Sequence, residues 1–561
     1  MSNENDRVKS AMASARPIGN TPRVDPEDRL RRCADHPLND EGNGFRFVDH
    51  YGRDCLFVQR LGWHVWNGKA WKIDDDAFAV RRLAGQVQFR IGEELPFVTA
   101  TEDERKTLDD ADAAQDELNT METDNEPETM AKRRGLAKRV ENGAAVRKAI
   151  GARKRSHRAH GVSSGNSHKQ VNMLSEAAKL RATSVESLNA DPYLINCRSG
   201  ALRFNQKAAG DWSVERLPHD RSYLCSKMAE ADYNEDATAP TFTAFLERIQ
   251  PEPDRREFLQ RWFGYTLLGL TTEQKLLFAH GDGRKGKSTL IDVIAQILAD
   301  YATTVPIESL TGSEQRKGSD ATPDLVRIPG ARMVRASEPE QGQKMKEALV
   351  KALTGGEPVM VRRMHQEFIE VTPEFKLTIS GNHRPEIRGG DDGIWRRVLL
   401  CPFDQQIPLD EVDPDLPAKL QAEIDGIFAW MVAGAVKWLT DGLKTPGDVM
   451  AASNEYRLES DPLREFLLGE CVITGSESDW ITSADVIDVF RLMQEETGDD
   501  PWTKRTVAKT LKDRSAKLKH PDTGATFWPH KRNGTVDYKG LAFGLDAASA
   551  LARVIDRRSR L

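Results

Sequence analysis

The stretch 281-GDGRKGKST-289 puts three glycines, three basic residues and two hydroxyls into nine positions, directly behind the apolar run 276-LLFAH-280. Its spacing is G-x-x-x-x-G-K-[ST], read from Gly281 through Gly286 and Lys287 to Ser288. A pattern of that kind carries meaning only between a strand and a helix. The flanks meet the requirement. Residues 275-KLLFAH-280 read as a short buried strand, and 288-STLIDVIAQILADY-301 spaces Leu290, Val293, Ile294 and Ile297 as one face of an amphipathic helix.

A loop that opens a helix offers unpaired backbone N–H groups at the positive end of the helix dipole, so an anion is stabilised there. Glycines let the backbone curl around a phosphate where a Cβ would interfere. Lys287 is then expected to reach the β- and γ-phosphates of a nucleotide and the Ser288 hydroxyl to ligate Mg²⁺, with Gly281, Gly283, Gly286 and Thr289 completing the cradle. The cofactors expected are therefore ATP and Mg²⁺. The competing reading is a glycine-rich turn that matches by accident.

With 561 residues the chain has room for about three or four domains. It is 39% hydrophobic and 30% charged, contains no run approaching the ~20 apolar residues of a membrane span, and lacks a signal-like apolar core at its start. These features predict a cytoplasmic protein without a membrane partner. The six cysteines form no C-x-x-C pair and sit near no histidine cluster, which predicts buried, reduced thiols rather than a zinc or disulfide framework. A net charge of −7 argues against coating nucleic acid with the whole surface, but leaves room for a localised basic channel.

Along the chain, residues 1–40 read as a flexible polar leader. Residues 41–230 form an N-terminal region in which 45-FRFVDHYGRDCLFVQRLGWHVWNGKAWKIDDD-76, with its Asn67-Gly68 turn, suggests a small β-hairpin unit. Trp63, Trp66 and Trp71 either fill the core of that sheet or stack on bases. A charged insert at about 100–160 has an acidic half and a basic half, which either neutralise each other or leave the basic half for DNA. Residues 231–455 hold the nucleotide-binding domain. Residues 456–561 read as a winged-helix-like module: helices 482–498 and 503–520, then strands within 524–543. The second helix, with Lys504, Arg505, Lys509, Lys512, Arg514 and Lys517, is its candidate for DNA contact.

ATP hydrolysis also needs acidic residues at the end of a neighbouring strand. The segment 329-PGARMVRASEPEQG-342 supplies Glu338 and Glu340, and 374-EFKLTISGNHRP-385 ends in Asn382, an amide able to hold the attacking water. Arg396 and Arg397, before the apolar run of 391-DDGIWRRVLLCPF-403, are candidates for charge stabilisation across a subunit boundary.

These blocks, with 351-KALTGGEPVMVRRMHQEF-368 between them and 188-LNADPYLINCRSGALRF-204 and 261-RWFGYTLLG-269 ahead of them, resemble the superfamily 3 helicases, specifically the phage and plasmid primase-helicase group of P4 and D5 type. Lys285 departs from the asparagine common before the Gly-Lys of that group. The resemblance, over roughly residues 45–405, implies an AAA+-like P-loop α/β core in a hexameric ring with ATP at subunit interfaces. It assigns Ser288 and Glu338 to the metal side and Glu340 to water activation, with the two glutamates exchangeable. Asn382 becomes the sensor, and Arg397 the trans-acting finger with Arg396 its rival. Lys351 belongs to the block whose following hairpin enters the central channel. Arg362, Arg363 and His365 there would ring single-stranded or forked DNA with positive charge, unless they pair with Glu357, Glu367 or Glu370.

The function implied is an ATP-dependent, ring-forming DNA helicase in phage, prophage or plasmid replication, working with an initiator, primase or polymerase. The alternatives are a bifunctional primase-helicase and an ATP-switched origin-binding factor.

Overall fold

A computed structural model describes residues 25–122, 126–207, 210–312, 328–362, 368–387, 392–498, 501–515, 517–532 and 534–560, without the side chains of 362, 368, 369 and 392. Two units make up the chain: Met1–Asp191 with Pro218–Lys227, and Pro192–Leu217 with Met228–Leu561.

In the first unit the expected leader is helical in its second part. Asp25 accepts from the Glu27 amide, Pro26 takes the first helical position, Glu27 and Asp28 occupy the first turn and Arg31 and Arg32 the last, so Pro26–Ala34 has every local reason to be a helix. A second helix, Asp40–Tyr51, occupies residues the sequence assigned partly to a hairpin. The sheet proper is β1 (Cys55–Val58), β2 (Gly62–Trp66), β3 (Trp71–Ile73) and β4 (Ala182–Thr183), in the order β3-β2-β1-β4. Trp71 is fully buried and Trp63 and Trp66 nearly so, which settles them as core residues and removes them as a stacking surface.

The charged insert is a helical hairpin, Glu102–Thr120 against Pro127–Ser164. Arg153 pairs with Glu104, Arg139 with Asp110, Arg147 with Asp112 and Lys132 with Glu117, an antiparallel ladder that ties part of the basic half to the acidic one, while Arg134, Lys138, Lys148, Lys154, Arg155 and Arg158 are exposed. Below it, buried Arg46 and His157 both bond the Glu94 carboxylate.

Burial pushes His50 and His160 of this unit down to about 4 from an ordinary 6.5. Their folded pKa values lie below the unfolded ones, so the stability they contribute is complete above about pH 6.5 and is lost as pH falls toward 4. Amide exchange in Asp40–Tyr51 is expected to quicken between about pH 6.5 and 4.5 beyond its intrinsic pH dependence, and less so in a His50→Gln variant. Protection that stays constant over that range would contradict this.

The second unit begins with a three-stranded antiparallel sheet, β5 (Leu194–Cys197), β6 (Gly200–Gln206) and β7 (Trp212–Leu217). The sequence boundary near 230 assigned these strands to the N-terminal region. They instead share one core with the domain that carries the glycine-rich loop, Ile195, Leu202 and Phe204 lying in the same cluster as Leu290 and Ile294. Helices Pro240–Ile249 and Pro253–Tyr265 follow.

A parallel sheet then forms from β8 (Leu276–His280), β9 (Ala302–Thr304), β10 (Met333–Ser337), β13 (Lys376–Gly381) and β14 (Val398–Pro402), in the order β14-β8-β13-β10-β9. The interior strand β8 lies between two parallel neighbours, which is why it reads as an unbroken apolar run. Between β10 and β13 the hairpin β11 (Val359–Arg362) and β12 (Phe368–Val371) stands as its own two-stranded sheet; its tip, with Arg363 and His365, lies outside the described residues, as does the Arg362 side chain.

The C-terminal residues have a core of their own. Helices Ser483–Glu496 and Lys504–Ser515 and the strands β17 (Trp528–Arg532) and β18 (Thr535–Lys539) occur where the sequence puts them, although the second helix stops short of 520. The strands β15 (Cys471–Ile473), β16 (Trp480–Thr482) and β19 (Leu541–Phe543) and the helix Leu545–Ser559 complete the region.

Candidate active site

Three adjacent parallel strands end level with one another. His280 lies opposite Gly381, and Ser380 opposite Ser337. The first residue past each carboxyl end is Gly281 after β8, Asn382 after β13 and Glu338 after β10. Ligands of open parallel sheets bind in the crevice at these ends, where the connections leave in opposite directions.

The glycine-rich loop fills that crevice. A Cβ on Gly281 would meet the Phe403 carbonyl oxygen at 2.2 Å, so glycine is required for the loop to lie this close to the end of β14. Gly286 has φ 76° and caps the helix Lys287–Leu298, whose first turn receives no side-chain cap, so its backbone donors remain available to an anion. A Cβ on Gly286 would lie 2.6 Å from Ile249 Cγ2. Gly286→Ala is therefore expected to cost about 1–2 kcal/mol for the left-handed backbone alone and to abolish nucleotide binding. Thermal unfolding and nucleotide titration check this; a variant that binds ATP as the wild type does would contradict it.

A cavity of about 260 Å³ is lined by Gly283, Arg284, Lys285, Gly286, Lys287, Ser288, Thr289, Glu338 and Asn382. Lys287 is only 5% exposed. Its Nζ donates to the Gly281 carbonyl, to the Asp282 carbonyl at 2.8 Å and to Asn382 Oδ1 at 3.2 Å. Burial holds its pKa below the ordinary lysine value, opposed by the Glu338 carboxylate. These bonds preset the ammonium between the loop and the end of β13. Lys285, the departure noted in the sequence, lies 3.3 Å from Asp282 Oδ2, so its extra charge is already paired.

Glu338 adopts φ 57°, a left-handed conformation unusual for a side-chain-bearing residue, and its amide donates to the Ser380 carbonyl at 2.8 Å. Strain of this kind costs on the order of 1–3 kcal/mol and concentrates at functional sites. Arg284, also left-handed, lines the cavity, and its carbonyl accepts from the Ile407 amide. The sequence reading passed over Arg284, although its place inside the loop was the available signal.

The remaining candidates lie elsewhere. Glu340 is exposed and outside the cavity lining. Arg396 and Arg397 precede β14, at the opposite end of the sheet, on the order of 20 Å of strand from Gly281. Arg397 is 6% exposed within the chain and bonds the Gly393 carbonyl, which leaves it less available to another subunit than Arg396. Arg396 is exposed, 3.1 Å from Gln274 Oε1. Lys351 lies 3.9 Å from Glu347 on the helix Glu347–Gly355.

Comparison with known proteins adds to this geometry. The family model described as "D5 N terminal like" matches residues 45–251, and a "Family of unknown function (DUF5906)" matches 279–397, which spans every candidate from Gly281 to Arg397. A protein of Acanthamoeba polyphaga mimivirus described as "Putative helicase" is 26% identical over 55% of this chain and 33% of its own length. A "Putative helicase" of Frog virus 3 is 26% identical over 44% of this chain and 27% of its own, and a "Putative primase" of African swine fever virus 21% identical over 38% and 22%. Residues 45–251 thus carry a D5 N terminal-like region, and the chain is similar to viral proteins described as helicases or primases. The chain spans a third or less of the length of these relatives. The apo structure of the NrS-1 C terminal region aligns with 63% of this chain and 96% of its own at 11% identity and a TM-score of 0.33, a likeness too loose to bear on function. Among the described residues no helix is long and apolar enough to cross a membrane.

Proposed function

We propose that the chain is an ATP-dependent, ring-forming DNA helicase of superfamily 3 type, translocating on single-stranded DNA in the replication of a virus, phage or plasmid. The observation that carries the reading is the convergence of Lys287, Ser288, Glu338 and Asn382 on one cavity at the ends of β8, β10 and β13. An uncapped helix start, a buried lysine and a carboxylate are the donor set a nucleoside triphosphate with Mg²⁺ requires. The strand order β14-β8-β13-β10-β9 supports an AAA+-like P-loop core.

In this reading Lys287 holds the β- and γ-phosphates, Ser288 and Glu338 hold Mg²⁺, and Asn382 orients the attacking water. The metal, when bound, supplies neutralisation of phosphate charge. Glu338 takes the water-activating role expected of Glu340, since it lines the cavity and Glu340 does not. Arg396, exposed and far from its own cavity, serves the site of a neighbouring subunit, which makes the ring a requirement for turnover. The hairpin β11–β12 is the candidate channel element.

Fork unwinding by the full chain, with native mass determination, tests the reading. ATP-dependent strand separation by an oligomeric ring is expected. A ring that binds DNA and hydrolyses ATP without separating strands would transfer the assignment to an ATP-driven switch.

A further inference from the structure

The sheet β16-β18-β17 of the C-terminal region turns Ile481 and Tyr538 into the core, while its opposite face is exposed at Trp480, His530, Arg532 and Thr535, half-buried at Trp528 and Lys539 and buried at Asp537. Ile481 and Tyr538 lie opposite each other on the inner face and are buried. On the outer face Trp480 and Trp528 both lie opposite Lys539, so the three form a single row across the sheet, a lysine between two tryptophans. Alternation along the strands adds Thr482, His530, Arg532 and Thr535 to the same face. Trp480 is 47% exposed, and the Arg532 guanidinium sits over its ring at 5.7 Å. A tryptophan whose role was packing would stand on the Ile481 side.

Charge points the same way. Between Lys504 and Lys539 the sequence has ten Lys and Arg against three Asp, in a chain of net charge −7. The helix Lys504–Ser515 packs beside β17 and leaves Lys509 and Lys512 exposed. Its other cations are partly committed: Lys504 pairs with Asp488 at 2.9 Å and Arg514 with buried Asp461 at 2.5 Å. The one acidic residue on the outer face, Asp537, is buried.

We propose that this sheet face binds single-stranded DNA, with unpaired bases stacked on Trp480 and Trp528 and the backbone phosphates held by Lys539 and Arg532. Flat aromatic rings flanked by cations suit a strand whose bases are free to stack, whereas the bases of a duplex present no open π-face. The surface lies outside the motor cavity and requires no nucleotide, so it is a second DNA contact beyond any in a ring channel.

The test is fluorescence anisotropy of a labelled oligothymidylate with the full chain, without nucleotide. Trp480→Ala is expected to weaken binding by about tenfold, the loss of one base stack, while Trp480→Phe retains most of the affinity. The double change Arg532→Ala with Lys539→Ala is expected to lower the slope of log affinity against log salt by about 1.4. Photocrosslinking of a bromodeoxyuridine-substituted strand to the unaltered chain is expected to map to Trp480 or Trp528, which needs no variant to fold. Unchanged affinity in the Trp480 variants, crosslinks found only elsewhere, or preference for a duplex or for oligouridylate RNA would each overturn the proposal. Because nucleotide is absent throughout, loss of the helicase reading would leave these outcomes standing.

Discussion

Mixing two inactive variants, Lys287→Ala and Arg396→Ala, is expected to restore ATP turnover to about a quarter of the wild-type value. Arg396→Ala alone should lower turnover by about 10³ to 10⁵, as removal of a trans-acting arginine does, while leaving nucleotide binding in place. The strand β14 separates Arg396 from the cavity of its own chain by the full length of the sheet, and the side chain is exposed. In a head-to-tail ring each Arg396→Ala subunit keeps an intact Lys287, and a Lys287→Ala neighbour lends it an intact Arg396. Random mixing completes about one site in four. Phosphate release across a mixing series measures this. A series that never rises above either variant would remove Arg396 from the site. Arg397→Ala is the contrast: buried and bonded to Gly393, it should lower stability.

Lys287→Ala by itself is expected to reduce turnover by about 10² to 10³, the loss of one preset donor to transition-state charge. Its ammonium is already fixed by two loop carbonyls and by Asn382, so it undergoes little rearrangement when charge develops. Strand separation should disappear with turnover, while native mass still shows the ring. Lys285→Ala, whose charge Asp282 already offsets, should change turnover only a few-fold. Wild-type turnover in Lys287→Ala would dismiss the cavity as the site of hydrolysis.

The loop and its flanks were legible because each signal is local. Glycines at 281 and 286, an apolar run before them and a helical period after them each depend on residues within one turn or one strand. Glu338 and Asn382 were legible for the related reason that strands in a buried parallel sheet end abruptly in polar residues. Arg396 and Arg397 were not separable. Alternation assigns adjacent residues to opposite sides only when one face of a strand is solvated, and β14 is buried on both faces.

The charged insert shows the same limit. Its two halves were visible as composition, but which cations of the basic half are paired depends on the helix against which it lies, and the pairs from Glu104–Arg153 to Glu117–Lys132 show that only for four of them. The stretch Phe45–Tyr51, rich in residues that suit strands, became a helix because Asn39 caps it and its apolar side packs on the tryptophan sheet, tertiary packing overriding propensity.

By itself the sequence determined that a glycine-rich loop sits between a buried strand and an amphipathic helix, that acidic and amide groups follow two further strands, and that a basic, turn-rich region lies in the last hundred residues. The tertiary structure alone decided which core β5–β7 join, which glutamate faces the cavity, which arginine faces out and which side of the C-terminal sheet carries its tryptophans. The physical reason is one of range. Backbone conformation and periodic burial are written in neighbouring residues, whereas the exposure of a given side chain is a property of the segment that covers it, and that segment lies tens to hundreds of residues away.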